Sequence, residues 1–164
     1  MIATSTNHKG AIAETAIAHQ AVRLGIEVYR PVAEGSRFDM IFVFPSGELS
    51  RVQCKWARIH GDVVLVRAYS SRRTRDGLLA RSYTVSGIDA LAAYCPDLDR
   101  CYYLPAAMVA DRRQLHLRVG QAKNNQICRV NWAVDHELGA IAQLGERSAG
   151  SRKVGGSSPP SSTS

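Results

Sequence analysis

The chain has 164 residues, a formal net charge of +7 and 45% apolar residues. This length suffices for one domain with a core and is too short for two comfortable domains. No run of about 18 apolar residues occurs, which excludes a membrane-spanning helix, and the first residues lack the pattern of a signal peptide. We therefore expect a cytoplasmic protein without a membrane partner, and the positive charge favours a polyanionic partner such as nucleic acid.

The four cysteines indicate no metal site. Cys54, Cys95, Cys101 and Cys128 show neither a CxxC pair nor Cys/His ligand spacing. Cys95 and Cys101 flank a predicted turn and could come close, but reduced thiols are the favoured interpretation for a cytosolic chain.

The composition changes near residue 139, where Gly, Ser and Pro replace the apolar periodicity. We interpret residues 1–138 as the folded domain and residues 139–164 as a disordered tail. Residues 141–147 can be encoded by a nucleotide sequence that resembles the D arm of a tRNA, and residues 156–159 by one that resembles the T arm. The reading frame is therefore hypothesised to continue into a tRNA gene, which the nucleotide sequence would test.

The first predicted element is a helix over residues 9–24, ending before a glycine. Ile17, Ala21 and Leu24 form an apolar stripe at helical spacing, and Glu14 lies on the same stripe. A carboxylate that faces a core is costly unless it meets a cation or a metal. Glu14 therefore either has such a partner or lies at the edge of the stripe and reaches water.

Strands are predicted over residues 26–32, 38–44 and 49–56, and Pro31 suggests that the first is an edge strand. The second and third are joined by a strong turn signal at residues 45–48. If this turn is centred on Ser46, the residue numbers of any two residues that face each other across the hairpin add up to 92.

Alternation along this hairpin separates an apolar face from a polar one. Asp39, Gln53 and Lys55 share the polar face, and the register above places Asp39 opposite Gln53. The apolar face carries Met40, Phe42, Phe44, Val52, Cys54 and Trp56.

The later elements are predicted as a strand over residues 63–69, a basic loop over 70–77, a hairpin over 88–94 and 100–104, and a strand over 114–119. A last helical turn or two is expected within residues 130–138. One long helix followed by strands indicates an α/β or α+β fold with a central mixed sheet.

The polar patch fits phosphodiester hydrolysis by a metal ion. A hard cation such as Mg²⁺ neutralises phosphate charge and generates hydroxide near neutral pH, and it takes oxygen ligands. Asp39 supplies a carboxylate and Gln53 an amide oxygen, and Glu14 could add a second carboxylate from the helix. Lys55 could hold the attacking water or counter charge on the phosphate. Mn²⁺ is a plausible substitute for Mg²⁺.

At these residues the chain resembles a known family. Phe38-Asp39 followed by Arg51-Val52-Gln53-Cys54-Lys55 is similar to the PD-(D/E)XK nuclease motif, with Gln53 where an acid usually stands. The resemblance is to the group I intron-associated homing endonucleases of that superfamily. Further segments with a family resemblance are residues 7–14, 35–39, 70–72, Tyr83, 89–94, 102–105, 117–119, 124–126 and 132–133.

The resemblance implies a restriction-endonuclease-like core, dependence on Mg²⁺, and a homo-oligomer, a dimer or a tetramer, that cuts both strands of DNA. The basic segment is then expected to follow the phosphate backbone rather than to read sequence. The expected DNA-binding residues are Arg67, Ser70, Ser71, Arg72, Arg73, Arg75 and Arg81.

Three functions stay open on the sequence. The first is a DNA endonuclease associated with an intron or another mobile element, and the second is a structure-specific nuclease such as a Holliday-junction resolvase. The third is a catalytically inactive DNA-binding module, which Gln53 in place of an acid keeps open. RNA is a less favoured substrate, because the chain lacks the interleaved aromatic residues used to stack single strands.

Overall fold

The computed structural model describes residues 5–121, 128 and 130–143, and of Arg72 and Arg73 it describes the backbone alone. The elements are α1 (Thr6–Arg23), β1 (Glu27–Tyr29), β2 (Met40–Val43), β3 (Leu49–Trp56), β4 (Arg58–His60), β5 (Val63–Arg67), β6 (Tyr69–Thr74), β7 (Gly77–Ser82), β8 (Ala90–Cys95), β9 (Arg100–Pro105), α2 (Ala106–Val109), β10 (Gln114–Arg118) and a 3₁₀ helix (Ala133–His136).

Helix α1 begins three residues earlier than predicted because Ser5 caps it. The Ser5 hydroxyl accepts a hydrogen bond of 3.2 Å from the backbone N–H of His8. Such a cap satisfies one of the backbone donors that the first turn leaves without a helical partner. The predicted apolar stripe is confirmed, since Ile17 and Ala21 are fully buried.

The central sheet has five strands in the order β1-β2-β3-β8-β9. All neighbouring pairs are antiparallel except β3 and β8, which run parallel. This arrangement confirms the predicted mixed sheet. Strand β1 lies at the edge, as Pro31 suggested.

The hairpin of β2 and β3 has the predicted register. Met40 pairs with Val52 and Ile41 with Arg51, so the next pair along the ladder sets Asp39 opposite Gln53. The turn between the strands needs Gly47, whose φ of +85° lies in the region that favours glycine. A hydrophobic face and a defined turn together fix the register of a hairpin.

The central sheet is covered on both faces. On one face, Ile17 and Ala21 of α1 pack with Met40, Phe42 and Val52. On the other face lies a second, three-stranded sheet in the order β10-β5-β4. The core between the two sheets includes Val64, Val66, Leu91, Ala93, Leu104, Leu115 and Leu117.

Strand β3 leads directly into the second sheet. Ala57 is fully buried between β3 and β4, and its N–H donates a 2.8 Å hydrogen bond to the carbonyl of Tyr94. The strand that carries Gln53 and Lys55 is therefore continuous with an edge of the second sheet.

The predicted basic loop over residues 70–77 is wrong. Strands β6 and β7 form a separate antiparallel pair, with Ser70 opposite Arg81 and Thr74 opposite Gly77. The polar residues that suggested a loop are explained by exposure, because the side chains of β7 all face solvent. Backbone pairing in a hairpin does not require buried side chains.

An ion pair joins the starts of the parallel strands β3 and β8. The Arg51 guanidinium donates bonds of 2.9 Å to each oxygen of the Asp89 carboxylate. The backbone N–H of Arg51 bonds Asp89 Oδ2 at 2.8 Å, and the N–H of Asp89 returns a 2.9 Å bond to the Arg51 carbonyl. Side chains and backbone thus join the two parallel strands at the same point.

The packed domain extends beyond the boundary predicted at residue 138. Residues 138–143 are helical, and Leu138 and Ala142 are buried with the side chains of α1. Five residues of the predicted tail are therefore part of the fold. Residues 144–164, which hold the rest of the tail and all but the first three residues of its tRNA-like segments, lie outside the described residues.

All four cysteines are free thiols. Cys95 and Cys101 lie near each other in the β8–β9 ladder, but Cys95 packs between the two sheets whereas Cys101 packs on the side of α1. Among the described residues, no helix is both long enough and apolar enough to cross a membrane.

Candidate active site

Asp39 lies directly before β2, with its carboxylate turned towards β3. Its Oδ2 atom accepts a 2.7 Å hydrogen bond from the backbone N–H of Cys54 and another from the Gln53 carboxamide. Burial raises the pKa of Asp39, while the Cys54 N–H and the Lys55 charge act in the opposite direction. The carboxylate is therefore fixed in position by β3 but costly to keep charged.

Gln53 and Lys55 project from the same face of β3, as predicted. They pair in register with Leu91 and Ala93 of β8, which face the core between the sheets. Gln53 donates through its amide nitrogen to Asp39, so its Oε1 oxygen is the atom that can serve as a ligand.

Lys55 is half-buried, and its ammonium lies 5.3 Å from the centre of the Tyr83 ring. Burial lowers the pKa of Lys55, and the Asp39 carboxylate partly restores it. A desolvated ammonium beside a carboxylate interacts strongly with any further charge that enters, because little water screens it.

Glu14 approaches the same carboxylate from α1. Burial raises the pKa of Glu14, and the neighbouring Asp39 charge raises it further, whereas Arg30 lowers it. The Arg30 guanidinium lies 3.4 Å from Glu14 Oε2. The sequence left two possibilities for Glu14, a charged partner or a position at the edge of the stripe. The first is found, because Glu14 is half-buried and meets the Arg30 cation.

The site offers oxygen atoms of the kind that hard divalent cations bind. Two carboxylates, Asp39 and Glu14, raise the density of negative charge, and Gln53 adds a neutral amide oxygen; this set suits Mg²⁺, which keeps several of its waters. Within the described part of the chain, no cluster of three or more His, Cys, Asp or Glu side chains suited to a metal occurs. A metal here would depend on the amide and on water or substrate oxygens.

Two grooves meet beside Gln53. The larger, of about 960 Å³, runs between the β6–β7 hairpin and the loop of Gly35 to Arg37. The smaller, of about 450 Å³, runs along β3 past Lys9, Lys55 and Arg67. Four residues line both grooves: Gln53, Ser70, Ser71 and Tyr83.

The expected DNA-binding residues differ in which of the two grooves they line. Ser70 and Ser71 line both, Arg81 lines the larger and Arg67 the smaller. Arg75 is exposed at the hairpin turn and is not among the residues that line either groove, although its neighbour Thr74 lines the larger one. Arg72 and Arg73 belong to β6 by their backbone, and their side chains lie outside the description.

Sequence reasoning missed three residues that the fold brings to the site. Arg30 pairs with Glu14, Tyr83 lies against Lys55, and Lys9 lies 5.8 Å from the centre of the Trp56 ring within the smaller groove. Lys9 and Trp56 come from elements that are far apart in sequence, so only the packing of α1 near β3 reveals their contact. Arg30 directly follows a strand, and Tyr83 is one of the positions with a family resemblance, but neither signal assigned a role in the site.

Comparison with known proteins identifies the family. A profile of the PD-(D/E)XK endonuclease family matches residues 4–139. The chain belongs to the PD-(D/E)XK endonuclease family. The predicted resemblance is thereby confirmed.

The fold is similar to that of a solved structure described as a bacterial homing endonuclease, I-Ssp6803I. The two chains share 22% sequence identity with a TM-score of 0.66, over 92% of this chain and 99% of the other. No curated protein sequence matches the chain. The predicted fold class is confirmed, and the family membership supports a nuclease.

Two departures from the PD-(D/E)XK motif now have a structural setting. Phe38 replaces the proline before the acid, and its half-buried ring packs against the core between the sheets. Gln53 replaces the second acid and holds Asp39 through a hydrogen bond. The amide thus keeps the spacing of the motif and removes one negative charge.

Proposed function

We propose that the protein is a Mg²⁺-dependent endonuclease that hydrolyses phosphodiester bonds of double-stranded DNA. The observation that carries the proposal is the position of Asp39, Gln53 and Lys55, which meet in a PD-(D/E)XK fold where two grooves join. Gln53 lines both grooves and Lys55 lines the smaller one, which supports access of a phosphate backbone to the motif.

Asp39, Glu14 and the Gln53 amide oxygen are proposed to hold the ion. When bound, Mg²⁺, or Mn²⁺ in its place, would neutralise charge on the phosphate and lower the pKa of a water molecule. The backbone N–H of Cys54 fixes Asp39, so the carboxylate does not have to be oriented when an ion arrives. With one amide in the set, binding is expected to be weaker than at a site with three carboxylates.

Lys55 is proposed to act on the phosphate or on the attacking water. Hydrolysis adds the water oxygen to phosphorus and breaks one phosphorus–oxygen ester bond, which yields a phosphate monoester and a free hydroxyl group. Negative charge grows on the phosphate during this step, and a desolvated ammonium stabilises it more than one in open water.

The grooves and the hairpin are proposed to bind the DNA backbone. Arg67 and Arg81 contribute charge on opposite sides of the site, and Ser70 and Ser71 contribute hydroxyl donors between them. The exposed Arg75, together with Arg72 and Arg73, would extend this contact along the hairpin. Contacts to phosphate give affinity that falls with salt concentration and carry little sequence information.

The proposal includes assembly and biological context. Two active sites held together can cut both strands of a duplex in one encounter, so we expect a homodimer or homotetramer acting in the cytoplasm. The similarity in fold to a protein described as a homing endonuclease supports association with an intron or another mobile element. A DNA-binding module without cleavage is the second candidate, because Gln53 lowers the charge that would attract the ion.

Cleavage of the DNA that flanks this gene, including the adjoining tRNA-like region, tests the proposal. The purified protein is incubated with that DNA and with a four-way junction, in Mg²⁺, Mn²⁺ or EDTA, beside Lys55→Ala protein prepared in the same way. Discrete metal-dependent fragments of the linear DNA, absent with Lys55→Ala, are expected. Cutting of the junction alone would indicate a resolvase, and binding without any cutting would support the inactive module.

A further inference from the structure

Tyr83 has a buried hydroxyl group without a hydrogen-bond partner among the described residues. The side chain follows β7 directly, is 8% exposed and packs into the core between the two sheets. Buried polar groups are almost always hydrogen-bonded, and a bare hydroxyl costs free energy that phenylalanine would avoid. Packing alone therefore does not account for a tyrosine at this position.

The same side chain touches the proposed reaction centre. Its ring lies beneath the Lys55 ammonium, at 5.3 Å from nitrogen to ring centre, and it lines both grooves together with Gln53. An ammonium over an aromatic face is attracted to the electrons of the ring, and this attraction is larger away from water. Tyr83 is thus placed to limit the positions that the Lys55 ammonium can take.

The hydroxyl group is suited to donate rather than to accept a proton. Burial raises the pKa of Tyr83, and the Asp39 charge raises it further, so the phenol stays protonated at neutral pH. A protonated phenol can donate one hydrogen bond to an anion. Tyr83 lines both grooves while its hydroxyl is covered, so a phosphate oxygen that enters a groove and displaces the atoms over the hydroxyl would supply the missing acceptor.

We propose that Tyr83 is a further active-site residue, whose hydroxyl donates a hydrogen bond to the scissile phosphate while its ring positions Lys55. The inference rests on the proposed nuclease function and extends it to a residue outside the family motif. In the free protein the hydroxyl is left unsatisfied, and the bond forms only when the phosphate enters. Catalytic hydrogen bonds often tighten in this way on substrate binding.

The test compares Tyr83→Phe with Tyr103→Phe. Tyr103 is a matched control because its hydroxyl shares a 2.8 Å hydrogen bond with Ser50 on the opposite side of the central sheet. Tyr83→Phe is expected to lower the single-turnover cleavage rate roughly 10- to 100-fold, with an unchanged or raised Tm in EDTA. Tyr103→Phe is expected to show the opposite pattern, with a lower Tm and an unchanged rate.

A phosphorothioate at the mapped cut site gives a readout that a structural role would not move. Sulfur replaces each non-bridging oxygen of the phosphate in turn, and sulfur accepts hydrogen bonds poorly. The unaltered protein is expected to slow with one diastereomer in particular, and Tyr83→Phe is expected to lose most of that difference. Tyr83→Leu, which also removes the ring beneath Lys55, is expected to be slower than Tyr83→Phe.

Each failure has a separate signature. An unaltered protein that cleaves no DNA with Mg²⁺ overturns the nuclease function and, with it, this inference. An active protein whose Tyr83→Phe variant cleaves equally fast overturns the inference alone. A Tyr83→Phe variant with a Tm lowered as far as that of Tyr103→Phe also overturns it, since the hydroxyl would then already have a stabilising partner.

Discussion

Two antiparallel hairpins meet at the candidate active site, and they are held together in different ways. In the β2–β3 hairpin, Met40, Phe42 and Val52 are fully buried beneath α1. In the β6–β7 hairpin, Leu78 is 70% exposed and Leu79 is 46% exposed. The first is held by the packing of its apolar face under α1, and the second mainly by its backbone hydrogen bonds.

The difference separates two requirements of a nuclease. Reacting groups must be held within a fraction of an ångström, and the proposed active-site residues Asp39, Gln53 and Lys55 accordingly lie on the packed hairpin. A long, irregular and charged ligand is better contacted by an element that can adjust, and segments with few buried contacts open and move most easily. Arg81 and the two serines near it lie on that second hairpin.

Removal of the Lys55 ammonium is expected to have the largest effect. Lys55→Ala should reduce single-turnover cleavage by about 10²- to 10⁴-fold, because the charge on the phosphate loses its counter-ion. Circular dichroism should show an unchanged fold. Glu48→Ala, in the exposed β2–β3 turn, is the control; an equal loss there would mean that the hairpin itself, and not the ammonium, is needed.

Truncation of one apolar residue in each hairpin tests the packing contrast directly. Phe42→Ala should lower the free energy of unfolding by about 3–5 kcal/mol, since its ring is fully enclosed. Leu78→Ala should change it by less than about 0.5 kcal/mol. Denaturant titration measures both, and a large loss with Leu78→Ala would show that the β6–β7 hairpin is packed against something in solution.

Loss of one groove arginine should weaken DNA binding without affecting the fold. Arg81→Ala is expected to reduce affinity roughly three- to tenfold and to lower the salt dependence by about one released counter-ion. Fluorescence anisotropy in EDTA, over a series of salt concentrations, measures both. Arg23→Ala, at the exposed end of α1, is the matched control; an equal change there would mean that the charge acts without regard to position.

The smallest expected effect is a gain in stability on removing the buried charge of Asp39. Its folded pKa is raised, so the folded protein takes up its proton at a higher pH than the unfolded chain, and ionisation at neutral pH opposes folding. Asp39→Asn should therefore raise the free energy of unfolding in EDTA at pH 7. The gain should shrink as the pH falls through the raised pKa of Asp39; a gain that grows on acidification would contradict the argument.

The sequence predicts the packed hairpin well because several independent signals agree there. Alternation gives the two faces, the turn gives the register, and together they place Asp39 opposite Gln53, as the β2–β3 ladder confirms. The mixed sheet follows from the order of helix and strands. These features depend on neighbours within about 15 residues, where periodicity is informative.

Features set by distant contacts are not predictable in this way. Strand β7 carries no apolar alternation because all its side chains are exposed, so its pattern is typical of a loop. The pairing of Glu14 with Arg30 and the placement of Tyr83 beneath Lys55 depend on how separate elements pack. The helical residues 138–143 were missed because Ala142 is too small to give a clear apolar pattern, although it is buried.

The bond that joins the starts of β3 and β8 has a consequence for how such a protein can change over generations. Everything from β4 to β7 leaves the central sheet after Trp56 and re-enters it at Asp89, which Arg51 holds against the start of β3. The entropy of closing a loop grows slowly with its length, by about 0.6 kcal/mol for each doubling. Insertions, deletions or exchanges in the exposed hairpin can therefore accumulate while β3, which carries Gln53 and Lys55, stays in register. Under the proposed function, a lineage could thus acquire a new DNA target by altering the segment from β4 to β7 while it keeps the same residues for cleavage.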